Sequence, residues 1–161
     1  MNYRNLTWLI LSVAIILLDQ ISKYFVASYL SFEQAVIVIP HVFNLFLMHS
    51  PGASFSFLAN MSGWQRWFLS AVSIVISLIL LKWLLSLAKS QVWLATAISL
   101  ILGGAIGNLL DRLRLSYVID FIQVYYKNYY FPTFNIADSA VVVGTAMLIC
   151  YGLFKGEKGN E

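Results

Sequence analysis

Residues 90–110, SQVWLATAISLILGGAIGNLL, contain no charged side chain. Their length matches the roughly 20 residues that carry a helix across a hydrocarbon core about 30 Å thick. A charge at the bilayer centre costs about 2.5–3.5 kcal/mol on insertion scales, so a charge-free run of this length predicts a transmembrane helix. Working outward, three further stretches read the same way. Residues 5–18 are apolar and continue to about Val26 at the cost of Asp19 and Lys23; residues 67–81 extend to Ala88 if Lys82 snorkels; residues 139–154 reach full length if the helix begins near Phe134. The predicted fold is an all-α membrane protein, one domain over residues 1–161. Its four transmembrane helices cover about 6–26, 67–88, 90–111 and 135–154, and its longer loops about 27–66 and 112–134.

Composition supports this. The 161 residues are 60% hydrophobic and 11% charged, with a mean hydropathy of +0.79, whereas soluble domains carry about a quarter charged residues. An ordinary soluble domain is excluded. The isoelectric point near 9.0 does not indicate nucleic acid as a partner, because the ten Lys and Arg residues are dispersed among apolar runs and form no basic stripe. The single cysteine, Cys150, lies in an apolar run and forms no internal disulfide, and His41 and His49 have no Cys or Glu at ligand spacing. No metal and no cofactor are expected.

Charge also orients the chain. If four helices alternate, Arg4, Lys82 with Lys89, and Lys155 with Lys158 share one side, which the positive-inside rule makes cytoplasmic, an N-in/C-in topology. Three further hydrophobic spans favour an uncleaved first helix over a signal peptide. The two long loops then face outward, with Trp64 and Trp67 in an aromatic belt. Within the first, Ala35 to Met48 alternates loosely around Pro40, which predicts short strands on the membrane surface, a small extracytoplasmic β-like element. The second is rich in tyrosine (Tyr117, Tyr125, Tyr126, Tyr129, Tyr130) and belongs to the interface.

In this topology Asp19, Asp111, Asp120 and Asp138 all converge on the outer leaflet. Asp19 and Lys23 are four apart and share a helix face; Asn108 with Asp111, and Asn135 with Asp138, are three apart, so each couple presents an amide and a carboxylate to one side. Arg112 can fork onto a carboxylate or a lipid phosphate. Taken singly, each aspartate reads as a helix cap or an interfacial charge. As a group at one depth with Asn partners, they mark a functional site. Two facing carboxylates cannot both ionise cheaply, so they share a proton, one acting as base on water and the other as acid. Ser54 and Ser56 near His49 lack a nucleophile elbow, and Gly103, Gly104 and Gly107 read as close helix packing rather than a phosphate loop. Two other classes stay open on these residues: a small proton-coupled transporter or channel, and a non-enzymatic assembly subunit in which Asp19 and Lys23 merely pair helices.

Five ordered motifs carry a resemblance: D-Q-I-S-K (Asp19 to Lys23), P-G-A-S-F-S (Pro51 to Ser56), G-N-L-L-D-R (Gly107 to Arg112), V-I-D-F-I (Val118 to Ile122) and F-N-I-A-D-S (Phe134 to Ser139). In this order they resemble the signature blocks of bacterial lipoprotein signal peptidase, or signal peptidase II. The resemblance implies an aspartyl endopeptidase of the bacterial inner membrane, active near the outer leaflet. It implies removal of signal peptides from diacylglyceryl-modified prolipoproteins, by a cut on the amino side of the lipidated cysteine. It further implies contact with membrane lipid and inhibition by globomycin-type compounds. By the same matching Asp120 and Asp138 would be the catalytic pair, with Asp19, Lys23, Gly52, Asn108, Asp111, Arg112, Asn135 and Ala137 supporting the site or holding substrate. One block departs from the family pattern: Ser50 stands where an Asn is usual and Ser54 where a second Ala is usual. A hydroxyl donates one hydrogen where an amide donates two, so the substrate-binding role of that position does not transfer directly to Ser50.

Overall fold

The computed structural model describes residues 6–51, 64–88 and 90–157, with side chains to residue 153. Among the described residues four helices are long and apolar enough to cross a membrane: α1 (Trp8–Tyr29), α2 (Trp64–Ser86), α3 (Val92–Leu115) and α4 (Ile136–Glu157). Where no water can satisfy the backbone, a helix closes its hydrogen bonds internally, and these sequences carry enough apolar side chains to face lipid. Four strands fill the connections: β1 (Ala35–Ile39), β2 (Phe43–Ser50), β3 (Val118–Tyr126) and β4 (Tyr129–Tyr130).

The helix ends differ informatively from the charge-free stretches. Helix α3 runs one turn past Asp111 and stops at Ser116, whose left-handed backbone (φ 76°) lets its N–H close on Arg112 O at 3.2 Å. Charge alone does not end a helix: Arg112 and Arg114 occupy the last turn, where the helix dipole favours cations. Helix α1 likewise continues to Tyr29 before Leu30 turns extended.

Helix α3 is the centre of the bundle, packed against α1, α2 and α4. Glycine makes this possible on two sides. A Cβ at Gly103 would lie 2.8 Å from Ser12 O of α1, and one at Gly104 would collide with Ala137 O of α4. A Cβ at Gly107 would meet Asp19 Oδ2 at 2.9 Å and Ala137 Cβ at 3.3 Å, so three helices converge at that point. Away from the site, Leu80, Leu84, Leu87, Leu94, Ala95, Ile98 and Leu102 form the apolar core between α2 and α3. At the other end of α2, Arg66 donates to Ser116 Oγ (2.6 Å) and Leu113 O (2.8 Å), tying α2 to the tip of α3.

The sheet is antiparallel throughout, in the order β1-β2-β3-β4. The tyrosine-rich connection is therefore largely strand: β3 pairs with β2, setting Met48 opposite Asp120 and Ser50 opposite Val118. A bulge between Leu45 and Met48 bends β2 here. After the β3–β4 turn the chain returns beside β3, where Phe134 O accepts from Ile122 N at 2.8 Å and Phe134 N donates to Ile122 O at 3.1 Å. That bridge delivers the first turn of α4 to the middle of β3. Leu47, Ile119 and Phe121 pack beneath the sheet with Val26, Leu30 and Ile136 at the helix ends.

Candidate active site

The site grows from the start of α4. Asn135 caps the helix: its Oδ1 accepts from Asp138 N at 2.8 Å, while Asp138 Oδ2 accepts from Asn135 N at 3.2 Å. This reciprocal pair is a capping box, with Asn135 at the cap and Asp138 three residues on. Because the Asn135 oxygen is used by the cap, its amide nitrogen points the other way. It donates to Asp120 Oδ1 (2.7 Å), Asn108 Oδ1 (3.1 Å) and Ile119 O (3.2 Å). Asn108, on α3, then donates its own amide to Asp138 Oδ1 at 2.7 Å. Asp120 and Asp138 are thus held in one network through two asparagines, with Asn135 fully buried.

Behind the pair lies a buried ionic cluster. Lys23 is 2% exposed and Asp19 not at all, which without compensation would cost several kcal/mol per charge. Compensation is complete: Lys23 Nζ lies 2.8 Å from Asp19 Oδ2 and 2.8 Å from Asp111 Oδ2, and donates to Asn108 Oδ1 at 3.0 Å. The same carboxylates also clamp neighbouring elements. Asp19 Oδ1 accepts from Ala137 N at 2.9 Å, fastening α1 to the first turn of α4, and Asp111 Oδ2 accepts from Ile119 N at 3.2 Å, fastening α3 to β3. Ala137 itself is fully buried against Gly104 and Gly107.

Most residues singled out by their spacing therefore meet here. Arg112 sits beside the group, but its Nη1 turns back to Asn108 O at 3.3 Å and its buried Nε has no hydrogen-bond partner among the described residues. Ser50 donates directly to Asp120 Oδ2 from the neighbouring strand. Gly52, Ser54, Arg4, Lys89 and Lys158 lie outside the described residues, as does the side chain of Lys155. One participant escaped sequence reasoning: Gln20 Nε2 donates to Asp111 Oδ1 (2.8 Å), Asp19 Oδ2 (3.2 Å) and Gly107 O (3.2 Å), bridging two carboxylates. Its place inside D-Q-I-S-K was the available signal.

Electrostatics bear directly on Asp120. Burial pushes its carboxyl up to about 7, and the nearby Asp138 charge pushes the same way, against the hydrogen bonds from Ser50 and Asn135 and the Lys23 charge. His49, adjacent to Ser50, faces elsewhere: its ring stacks on Tyr117 at 4.1 Å and lies 4.8 Å from Phe32, and burial lowers its pKa. Among the described residues no His, Cys, Asp and Glu side chains group as metal ligands.

The family model described as signal peptidase (SPase) II matches residues 11–154, nearly the whole chain. The chain belongs to the signal peptidase II family. It is 49% identical over 161 residues to a lipoprotein signal peptidase of Pseudomonas paraeruginosa, covering 99% of this chain and 95% of that one. It is 48% identical over 158 residues to that of Pseudomonas syringae pv. tomato, covering 98% and 91%. Two solved bacterial membrane enzymes share the architecture, one with a TM-score of 0.85 and 32% identity, covering 96% of this chain and 92% of that one. The other gives 0.80 and 30%, covering 91% and 92%. The buried Lys23 cluster and the capped α4 are thus the form this signal peptidase II chain gives to its D-Q-I-S-K and F-N-I-A-D-S blocks.

Proposed function

We propose that this peptidase removes signal peptides from diacylglyceryl-modified prolipoproteins, cutting on the amino side of the lipidated cysteine with Asp120 and Asp138 as its catalytic pair. The observation that carries the reading is the Asn135 hub, which donates to Asp120 and caps through Asp138, presenting two carboxylates in one polar network. One carboxylate takes a proton from water, the other gives a proton to the scissile carbonyl, and the general acid–base contribution of such a pair is about 10²–10⁴-fold. The ionic cluster behind them supplies rigidity, since Asp19, Lys23 and Asp111 tie α1, α3, α4 and β3 together.

We place the protein in the bacterial inner membrane, N-in/C-in, with the sheet and the site at the outer leaflet. Lys82 near the far end of α2 supports this, because it lies at the opposite end of that helix from Arg66 and the sheet. The substrate's signal helix and acyl chains stay in lipid while its peptide enters the site, and globomycin-type compounds compete there. The gathering of all four aspartates at one end of the bundle suits hydrolysis; a proton relay would need carboxylates stepping across the midplane.

Purified protein should cleave a diacylglyceryl-modified lipobox peptide, and globomycin should block cleavage. Asp120→Asn and Asp138→Asn should each lower the rate by about 10³-fold while the protein stays folded in detergent. Normal turnover in either variant would remove the pair from catalysis.

A further inference from the structure

Among the described residues each carboxylate of the pair accepts two hydrogen bonds, but the donors differ in kind. Asp138 Oδ1 faces the Asn108 amide nitrogen and Asp138 Oδ2 faces the Asn135 backbone N–H. Neither group can accept a proton in return. Asp120 Oδ1 is bound the same way, by the Asn135 amide nitrogen, whereas Asp120 Oδ2 faces the Ser50 hydroxyl, which both donates and accepts. Of the four oxygens, only Asp120 Oδ2 can therefore carry a proton without losing its hydrogen bond.

We propose that the proton shared by the pair rests on Asp120 Oδ2, accommodated by Ser50 as a positioning residue, and that Asp138 is the carboxylate that stays ionised and activates water. The assignment rests on the catalytic pair proposed above. Helix geometry points the same way, because Asp138 lies in the first turn of α4, where the helix dipole favours negative charge, while Asp120 lies on a strand. The upward shift of Asp120 to about 7 agrees. The charged groups around the pair are Asp19 and Lys23 from α1 and Asp111 and Arg112 from α3. Lys23 Nζ lies 2.8 Å from Asp19 Oδ2 and from Asp111 Oδ2, and Arg112 turns its Nη1 to Asn108 O. The polar side chain of β2 that bonds to Asp120 is that of Ser50, while His49 is stacked on Tyr117.

The steps balance. Asp138 takes a proton from water as the water oxygen bonds to the carbonyl carbon and Asp120 gives its proton to the carbonyl oxygen. As the C–N bond breaks, Asp138 returns its proton to the leaving nitrogen and one hydroxyl of the diol returns a proton to Asp120. Ser50 accepts from Oδ2–H while the proton is held there, and donates to Oδ2, the direction seen in the structure, once that proton has left.

Infrared spectra of purified protein with isotope-labelled aspartate test the assignment without activity. At about pH 5, above the ordinary carboxylate range, a protonated-carboxyl band should persist in Asp138→Asn, disappear in Asp120→Asn, and change frequency when Ser50→Ala is added to Asp138→Asn. In turnover assays Ser50→Ala should lower kcat about tenfold, leave KM unchanged and move the basic limb of the pH profile up by about one unit, because ionised Asp120 loses a donor. Ser50→Thr should restore all three. The reverse infrared pattern, a shift of the acid limb alone, an unchanged Ser50→Ala profile or an effect confined to KM would each overturn the assignment. Normal turnover in Asp120→Asn or Asp138→Asn would instead remove the catalytic pair itself.

Discussion

Asn135 Nδ2 donates to Asp120 Oδ1 at 2.7 Å, joining the cap of a transmembrane helix to the buried start of β3. One amide thus performs two separable tasks, since its oxygen caps α4 and its nitrogen holds the aspartate.

That separation is testable. Serine caps helices about as well as asparagine, whereas alanine costs about 1 kcal/mol at such a position. Asn135→Ser should keep most of the thermal stability yet lose activity by about 10²-fold, and Asn135→Ala should lose both. Melting curves in detergent beside cleavage rates decide it; a fully active Asn135→Ser would show that the nitrogen is dispensable.

Removing Lys23 should be worse for the fold than removing a typical surface lysine. Lys23→Met leaves Asp19 and Asp111 buried without their cation, and breaking such a pair costs about 3–5 kcal/mol. Adding Asp111→Asn to Lys23→Met should recover part of the loss. Equal melting temperatures for Lys23→Met and the parent would contradict the cluster's role.

Gly107→Ala tests how tightly three helices meet. The added methyl would sit 2.9 Å from Asp19 Oδ2 and 3.3 Å from Ala137 Cβ, and overpacking of this kind costs about 1–3 kcal/mol. The expected result is a lower melting temperature together with slower cleavage. Gly152→Ala, where nothing lies within 4 Å, is the control that should lower neither.

The pH response follows from Asp120. Its carboxyl is raised from 3.8 to about 7, so the folded protein holds a proton there that the unfolded chain has released. Its contribution to stability is therefore fully present below about pH 4 and declines as pH rises towards 7. Activity that needs this proton should fall with a midpoint near pH 7. Melting temperatures across this range should flatten in Asp120→Asn; an unchanged slope would place the titration elsewhere.

Helices were legible because lipid imposes one strong rule, and a charge-free run such as residues 90–110 obeys it visibly. The Asp19–Lys23 pair was legible because four residues is one helical turn. What spacing could not supply was contact between elements. That Lys23 also reaches Asp111 depends on the glycine-mediated approach of α1 to α3, and that Ser50 reaches Asp120 depends on the β2–β3 register and its bulge. Gln20 was missed for a related reason: an uncharged amide beside a charged residue shows no pattern until the facing helix is in place.

The ionic and hydrogen-bonded groups of the site enter the chain in widely separated order, from Asp19 in the first helix to Asp138 in the last. Synthesis delivers the amino-terminal parts first. Until α4 is inserted, Asp120 has neither its Asn135 donor nor its partner carboxylate, and Asp19 has no Ala137 N–H to hold. With Asp120 and Asp138 as the proposed pair, a half-made chain is proteolytically silent, and the final helix completes the site as it closes the bundle.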